Sequence, residues 1–311
     1  MLLKEEKIII GKGTEYPLNG LLTIPDRLEQ NIPAVVIVHG SGPSDMDGTY
    51  YANKTYKDIA TLLAKHGIAV LRYDKRTHAH KKKWAKEDKI HIFTVYEEVI
   101  EDAVRAANLL YEDKRIGKVF IFGHSMGGQL APRIDACGGN FHGLIIAAGS
   151  PRTIRELMAE QMDDAARNYK GLLGIIARWQ IKKIKPKLSE MDNWNADELK
   201  TKKFLGSKGA GHYFKDMEDN PPSLYLKNMT KPLFILQGDK DFQVKTETDF
   251  AGYQAMLYNH PDVSFKIYKG LNHIFTTSHG TNTVKDYKIP GTVSSQVTDD
   301  VAAWIHRVAD L

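Results

Sequence analysis

The chain has 311 residues, enough for one large α/β domain or two small ones with a substantial buried core. Its formal net charge is +5, but acidic residues are interspersed with the basic ones and no nucleic-acid-binding motif accompanies them, so we expect a solvated basic face and no nucleic-acid partner. The single cysteine, Cys137, excludes an intrachain disulfide and a cysteine metal site.

The N-terminal sequence MLLKEEKIII carries acidic residues where a secretory signal peptide has a basic start and a long apolar stretch. No later window approaches the length of a membrane span. We therefore expect a soluble cytoplasmic protein that has no membrane partner.

Short apolar runs alternate with helical patterns along the first half of the chain. The patterns predict strands at 4–10, 16–25, 32–40 and 68–74, and a helix at 56–67. The first two strands are expected to pair, with a bulge or turn at Asn19 and Gly20. The later order of strand, helix and strand indicates a parallel sheet.

The chain then continues through a lysine-rich segment, predicted to be a loop, that contains His78 and His80. The next helix is predicted to begin at Thr94, because Glu97 follows three residues later in a capping-box pattern. A serine-bearing strand comes after this helix, and FHGLIIAAGS at 141–150 is the strand that follows.

About 80 residues separate that strand from the next one, KPLFILQGD at 231–239. Two helical faces are visible between them: Ile154, Leu157, Met158, Met162, Ala166 and Tyr169, and then Leu172, Ile176, Trp179 and Ile184 before Pro186. We interpret the region as an insertion of helices, in which Trp179 packs in the core. A helix at 246–259, a strand at 263–270 and a terminal helix near 293–310 close the chain.

One short motif carries the chemical argument. Gly-His-Ser-Met-Gly at 123–127 matches G-x-S-x-G and follows an apolar strand. A strand that turns directly into a helix leaves no room for side chains two residues on either side of the serine, which explains the two glycines. The motif predicts that Ser125 is a nucleophile exposed at the edge of the sheet.

A serine nucleophile needs a base and a carboxylate that orients the base. Most of the twelve histidines have structural interpretations; His124, for example, is expected to help pack the turn. His273 follows the last predicted strand, on the carboxyl edge where parallel sheets place their sites, and is the predicted base.

Two aspartates compete for the role of the acid, Asp239 and Asp241, both just after the strand LFILQ. Asp239 falls in the tight turn, where a carboxylate commonly binds its own backbone. Asp241 lies farther over the edge, within reach of a histidine from the next loop, and is the predicted acid.

An oxyanion requires two backbone N–H groups aimed at one point. Met126, the residue after the nucleophile, supplies the first. The second is expected from the small-residue loop HGSGP at 39–43, where Ser41 is the preferred donor and Gly42 the alternative.

Together these residues resemble the α/β-hydrolase superfamily. The blocks HGSGPSDMDGT, LRYDKRT, GHSMGG, ILQGDKDFQV and LNHIF are similar, more narrowly, to bacterial carboxylesterases of the dienelactone-hydrolase-like branch, which cleave short acyl esters. The resemblance covers the chain except much of the insertion at 151–212.

The resemblance implies an α/β-hydrolase fold, in which helices flank a mostly parallel sheet and a helical lid is inserted between strands 6 and 7. The core is expected at 1–150 and 230–311 and the lid at 151–229. The resemblance also implies a triad of Ser125, Asp241 and His273, an oxyanion hole at Ser41 and Met126, a small-molecule ester substrate, and no metal or organic cofactor.

Two further groups have competing interpretations. Asp45, Asp47, Asp74 and Arg76 suggest metal ligands or a substrate clamp, but such groups more often form an ion-pair network that pins loops. The aromatic residues of the insertion suggest either an acyl pocket or a helix-packing core. These are Tyr169, Trp179, Trp194, Phe204, Tyr213 and Phe214.

The predicted function is a serine carboxylesterase acting on short-chain, aryl or feruloyl-type esters. A serine peptidase or thioesterase would use the same triad, and a leaving-group comparison separates these enzymes from the esterase. A catalytically silent binding protein of the same fold is the remaining alternative; it would not react with a fluorophosphonate probe.

Overall fold

An eight-stranded sheet lies at the centre of the structure, a computed structural model that describes residues 3–25, 30–87, 89, 93–168, 178–179, 181–204 and 207–310. In chain order the strands are β1 Leu3–Ile10, β2 Leu18–Pro25, β3 Ile32–Val38, β4 Ala69–Tyr73, β5 Ile116–His124, β6 Leu144–Ala147, β7 Leu233–Gly238 and β8 Val263–Tyr268. Across the sheet they are ordered β1-β2-β4-β3-β5-β6-β7-β8.

The sheet is mostly parallel, as the sequence predicted. β1 pairs with β2, and β2 with β4, in antiparallel fashion, whereas every pair from β4 to β8 is parallel. Its central strands are buried on both faces, because alternate side chains such as Val35 and Val36 enter separate apolar clusters.

The predicted bulge or turn at Asn19 and Gly20 is wrong. Both residues lie in the regular β1–β2 ladder, where Gly20 is opposite Ile8. A Cβ on Gly20 would come within 2.8 Å of the Ile10 side chain and 3.0 Å of the Arg72 carbonyl oxygen. The glycine therefore allows neighbouring strands to approach closely and does not mark a turn.

Helices cover both faces of the sheet. Outside the insertion they are α1 Thr55–Lys65, α2 Arg76–Lys86, α3 Glu101–Glu112, α4 Met126–Ile134, α10 Ala251–Met256 and α11 Ser295–Ala309. α3 and α10 are each preceded by a π-helical stretch, Tyr96–Ile100 and Thr246–Phe250 respectively. The predicted cap at Thr94 is confirmed, since the Glu97 carboxylate accepts the Thr94 backbone N–H at 2.8 Å.

The lysine-rich segment that holds His78 and His80 is helix α2, so the predicted loop is wrong. The helix is fixed by two long-range contacts. Arg76 pairs with the buried Asp102 of α3, and the buried Trp84 stacks on Phe93 with ring centroids 4.2 Å apart. The segment is mostly lysine and histidine, and its sequence therefore lacks the apolar periodicity that reveals a helix.

The insertion between β6 and β7 is largely helical in its described part. Its helices are α5 Ile154–Asn168, α6 Lys187–Glu190, α7 Ala196–Thr201, α8 Ala210–Asp219 and α9 Pro222–Leu226. A small apolar cluster of its own contains Leu188, Met191, Leu199 and Phe204. The insertion joins the rest of the chain through ion pairs such as Arg133–Asp216 and Lys245–Asp164.

The second predicted helical face of the insertion is not supported where the structure describes it. Leu172 and Ile176 lie outside the described residues. Trp179 is 59% exposed, and its ring lies beneath the Lys183 ammonium at 3.6 Å, so the prediction that it packs in the core is wrong. Periodicity predicted a helical face but not a partner for that face to pack against.

Over the described ranges, no helix combines the length and apolarity that a membrane crossing requires.

Candidate active site

Ser125 occupies a sharp turn between β5 and α4. Its backbone has φ 56° and ψ −118°, and its N–H donates to the Ala147 carbonyl oxygen at 2.8 Å. A Cβ on Gly123 would come within 2.3 Å of the Gly127 oxygen, and one on Gly127 within 2.3 Å of the Val38 oxygen. The steric requirement inferred for the two glycines is therefore present, and it holds the serine in a conformation that non-glycine residues rarely adopt.

The structure brings together two of the predicted site residues that are far apart in sequence, Asp241 and His273. Asp241 Oδ2 lies 2.7 Å from His273 Nδ1, and both side chains are buried. The other carboxylate oxygen of Asp241 accepts the backbone N–H groups of Gln243 at 2.8 Å and Val244 at 3.0 Å. These bonds fix the carboxylate, which engages Nδ1 and leaves Nε2 as the free imidazole nitrogen.

Asp239 has a different partner. Its Oδ1 accepts the backbone N–H of Gly270 at 2.6 Å, in the loop that follows β8. The sequence predicted that the Asp239 carboxylate would bind the backbone of its own turn. In the structure it binds the backbone of the neighbouring loop instead. Asp239 therefore supports the loop that carries His273, while Asp241 contacts the imidazole itself.

Two pockets meet at Ser125. The larger has a volume of about 560 Å³ and is bordered mainly by apolar side chains, several of them from the insertion: Trp84, Phe93, Met126, Ile154, Leu157, Met158, Tyr213, Phe214, Met217 and Val244. The smaller, of about 210 Å³, is more polar and includes Ser44, Thr55, Tyr56, His124, His273 and Tyr287. A group bound to Ser125 thus has an apolar space on one side and a polar space beside His273 on the other.

The two predicted oxyanion donors lie beside the serine. Met126 is the first residue of α4, and both Met126 and Ser41 border the larger cavity. A Cβ on Gly40 would come within 3.2 Å of the Ser125 Cβ, which shows how closely this loop approaches the nucleophile. The alternative donor, Gly42, has φ 79° and borders the same cavity.

His124 does more than pack the turn. Its Nδ1 lies 3.2 Å from the Tyr56 hydroxyl and its Nε2 2.9 Å from the His273 carbonyl oxygen, and Tyr56 in turn accepts the Gly40 N–H at 3.1 Å. A carbonyl only accepts, so Nε2 carries the proton and the tyrosine donates to Nδ1. Burial lowers the pKa of His124 to about 3, which keeps the ring neutral in this role.

A buried charged pair lies behind the same loop. Lys75 Nζ donates to the Gly40 carbonyl oxygen at 3.0 Å and lies 3.5 Å from Glu98 Oε1. Burial lowers the pKa of Lys75, and the Glu98 carboxylate opposes that shift. Glu98 also accepts hydrogen bonds from Thr77 and, at 2.6 Å, from Tyr213 of the insertion. Sequence analysis missed this pair, although the position of Lys75 directly after β4 and Asp74 at the carboxyl edge was an available signal.

The acidic residues after β3 and β4 form structural contacts with basic side chains and backbone N–H groups. Asp47 pairs with Arg72 at 3.2 Å and with Lys54 at 3.0 Å. Asp45 and Asp74 accept backbone N–H groups, and Arg76 pairs with α3 instead of with them. The network interpretation holds for Asp47, but Arg76 is not part of the same group. Among the described residues, no cluster of three or more His, Cys, Asp or Glu side chains is arranged to hold a metal.

The aromatic residues of the insertion divide between the two interpretations. Phe204 is fully buried, and Trp194 packs against it edge to face at 6.1 Å, as a helix-packing core. Tyr213 and Phe214 border the larger cavity. Tyr169 lies outside the described residues.

Comparison with known proteins agrees with this geometry. The family model of Hydrolase_4, described as serine aminopeptidase, S33, matches residues 30–277. Esterase EstD of Thermotoga maritima is 35% identical over an alignment of 306 residues that covers 97% of this chain and 67% of that protein.

Two solved esterases share the fold at low sequence identity. Est1E of Butyrivibrio proteoclasticus, solved with ferulic acid bound, has a TM-score of 0.60 at 17% identity, covering 98% of this chain and 100% of that one. An esterase from Pyrococcus furiosus has a TM-score of 0.60 at 15% identity, covering 99% and 92%. The sheet order, the serine turn and the family match lead to one conclusion: the chain is an α/β-hydrolase and belongs to the Hydrolase_4 family, serine aminopeptidase S33.

Proposed function

We propose that the chain is a serine carboxylesterase that forms an acyl-enzyme on Ser125. The observation that carries the proposal is the meeting of two pockets at a serine held at φ 56°, one of them bordered by His273, whose Nδ1 is paired with Asp241. The 35% identity to an esterase along nearly the whole chain supports ester bonds as the target.

The chemistry proceeds in two halves. His273 Nε2 accepts the proton of the Ser125 hydroxyl as the oxygen attacks the ester carbonyl, and the new oxyanion accepts hydrogen bonds from the Ser41 and Met126 N–H groups. The carbon–oxygen bond to the alcohol then breaks, and the alcohol leaves with the proton from His273. Water repeats the sequence and releases the acid, while Asp241 orients the imidazole and stabilises its cation.

The position of His273 assigns the two pockets to the two halves of the substrate. The leaving alcohol must receive its proton from the imidazole and therefore occupies the smaller, polar pocket that His273 borders. The acyl group occupies the larger cavity, whose volume of about 560 Å³ lies in the range of pockets that hold drug-sized ligands. Short and aryl acyl groups both fit this space, and the resemblance to dienelactone-hydrolase-like carboxylesterases favours them.

Residues 151–229 act as a lid on a core formed by 1–150 and 230–311. Ile154, Leu157 and Met158 of α5 and Tyr213 of α8 border the acyl cavity, so the insertion supplies much of its apolar wall. The cytoplasm is the proposed compartment, because a chain with one exposed cysteine uses no disulfide of its own.

An aminopeptidase is the second candidate, favoured by the description of the matching family. Such an enzyme needs an unpaired carboxylate to bind the substrate ammonium group. Of the described residues that border the larger cavity, Glu98 is the only one with a carboxylate, and Lys75, Thr77 and Tyr213 already bind it. The arrangement therefore favours the esterase over the aminopeptidase.

The test is a leaving-group panel on purified protein. It contains p-nitrophenyl esters from acetyl to dodecanoyl, a feruloyl ester, a thioester and an aminoacyl anilide, with a fluorophosphonate probe to count active serines. We expect esters to have the highest kcat/KM and labelling to require Ser125. Faster cleavage of the anilide would overturn the esterase assignment, and absence of labelling would indicate a silent binding protein.

A further inference from the structure

The Gly40–Ser41 peptide is held from behind, on the side away from the substrate. Lys75 Nζ donates to its carbonyl oxygen, that of Gly40, at 3.0 Å. The N–H of the same planar trans peptide belongs to Ser41 and points in the opposite direction. A contact that fixes the carbonyl therefore also fixes the direction of the N–H that is proposed to bind the oxyanion.

The preceding peptide is fixed separately, because the Gly40 N–H donates to the Tyr56 hydroxyl at 3.1 Å. Gly40 consequently has a partner on each of its two backbone polar groups. Ser41 follows it at the edge of both pockets. The loop thus presents one anchored peptide to the reacting carbonyl.

The group that anchors this peptide is an ammonium that is costly to bury. Lys75 is 2% exposed, and desolvation disfavours its charged form. Glu98, itself 6% exposed, faces it at 3.5 Å and supplies the counter-charge. A neutral donor would be enough for a purely structural hydrogen bond to the Gly40 carbonyl oxygen. The buried Lys75 ammonium therefore suggests an electrostatic role. A cation on the carbonyl oxygen also polarises the peptide and strengthens its N–H as a donor.

We propose that Lys75 is a positioning residue of the oxyanion hole: its ammonium orients and polarises the Gly40–Ser41 peptide so that the Ser41 N–H binds the oxyanion of the transition state. The inference rests on the proposed esterase function. It extends to the insertion, since the Tyr213 hydroxyl of α8 donates to the carboxylate that pairs with Lys75.

The experiment compares Lys75→Met with Lys75→Met/Glu98→Gln, and uses Lys75→Arg as the conservative variant. Lys82→Met removes the same charge from the exposed face of α2 and is the matched control. The readouts are kcat and KM for an aryl ester, the melting temperature, and inhibition by an alkyl trifluoromethyl ketone. The ketone forms a bond between its carbonyl carbon and Ser125 Oγ while the serine proton passes to His273, leaving an oxyanion in the hole.

Lys75→Met is expected to lower kcat by about 10- to 100-fold with KM changed less than about threefold, because the lost interaction exists only in the transition state. Inhibition by the ketone should weaken by a similar factor. The double variant should show the same loss, and Lys75→Arg should recover part of the rate, while Lys82→Met should match the wild type.

Recovery of wild-type kcat in the double variant would overturn the inference, because the defect would then come from an unpaired Glu98 carboxylate. Unchanged ketone inhibition in a folded Lys75→Met protein would overturn it as well. If Lys75→Met does not fold, the double variant, which buries no unpaired charge, provides the test. Ser125→Ala separates the two proposals: ester hydrolysis that survives this change refutes the esterase mechanism whatever the Lys75 variants do.

Discussion

The catalytic edge of the sheet and the inserted helices are built in different ways. Ser125 is fixed by strand packing and backbone contacts, and Asp241 by two backbone N–H groups from its own loop. The insertion has a small apolar cluster of its own and joins the rest of the chain both through Met217 and Leu226, which pack in the main core, and through ion pairs, such as Arg152 with Asp249 and Lys245 with Asp164.

This difference separates two tasks. Groups that must be held within a fraction of an ångström lie in the turn and loops at the carboxyl ends of packed strands, where rearrangement would disrupt the core. Much of the wall of the larger cavity comes from the insertion, where side chains such as Leu157 and Met158 lie outside the two apolar clusters that contain the sheet. Chemistry and acyl selection should therefore respond to different substitutions.

Ser125→Ala is expected to have the largest effect, because without the hydroxyl the acyl-enzyme cannot form. We expect kcat for an aryl ester to fall by about 10³ to 10⁶. The melting temperature should change little, since alanine fits the same turn. Steady-state hydrolysis together with a thermal melt measures both; wild-type turnover in the variant would remove the serine from the mechanism.

Asp241→Asn and Asp239→Asn form a matched pair at the same edge. Asparagine at 241 favours the wrong tautomer of His273 and should lower kcat by about 10³ to 10⁴, whereas asparagine at 239 weakens only the contact to Gly270 and should cost a few-fold. Measuring kcat and melting temperature for both variants tests the assignment. The assignment of the acid is wrong if the folded Asp239→Asn protein is the inactive one.

Leu157→Trp tests whether the insertion controls acyl selection. Leu157 borders the larger cavity, the proposed acyl site, and the larger ring should raise KM for an octanoyl ester by about 10-fold or more while acetyl ester hydrolysis stays within threefold. Leu224→Trp, at a 60% exposed position of α9, is the control. Equal losses of hydrolysis on both esters would mean that a substitution in the insertion also impairs catalysis, which contradicts the proposed separation of the two tasks.

The smallest expected effect is a loss of folding stability in mild acid, caused by His124. Burial lowers the pKa of His124 to about 3 in the folded chain, whereas the pKa of the same ring in the unfolded chain is about 6.5. Between these two pH values the unfolded chain binds a proton at this ring that the folded chain does not. Stability should therefore fall as the pH drops below 6.5, by about 1.4 kcal/mol per pH unit for this ring.

The measurement is denaturant unfolding of the wild type and His124→Gln at pH 6.5 and 5.5. Because glutamine does not titrate, the variant should lose less stability over that interval by about 1 kcal/mol, which is below the limiting slope because the unfolded histidine is already half protonated at pH 6.5. An identical pH dependence in the two proteins would show that His124 is not held neutral in the folded state.

Several features of the fold could be predicted because they depend on local sequence. The apolar runs predict the strands, and the alternation of strands with helices predicts a mostly parallel sheet. The glycines at 123 and 127 predict the serine turn, since backbone packs against backbone there whatever the rest of the chain does. Ser125, Asp241 and His273, the predicted nucleophile, acid and base, each follow a predicted parallel strand, and this position predicts that they lie at one edge.

Contacts between distant segments were decided only by the tertiary structure. Helix α2 forms because Trp84 and Arg76 find partners in other segments, and Trp179 is exposed although its spacing predicted burial. In the same way Asp239 binds Gly270, and Lys75 binds the Gly40 carbonyl oxygen. The physical reason is that spacing along the chain determines which side chains share a face, whereas the partner of that face depends on which segments the folded sheet brings side by side.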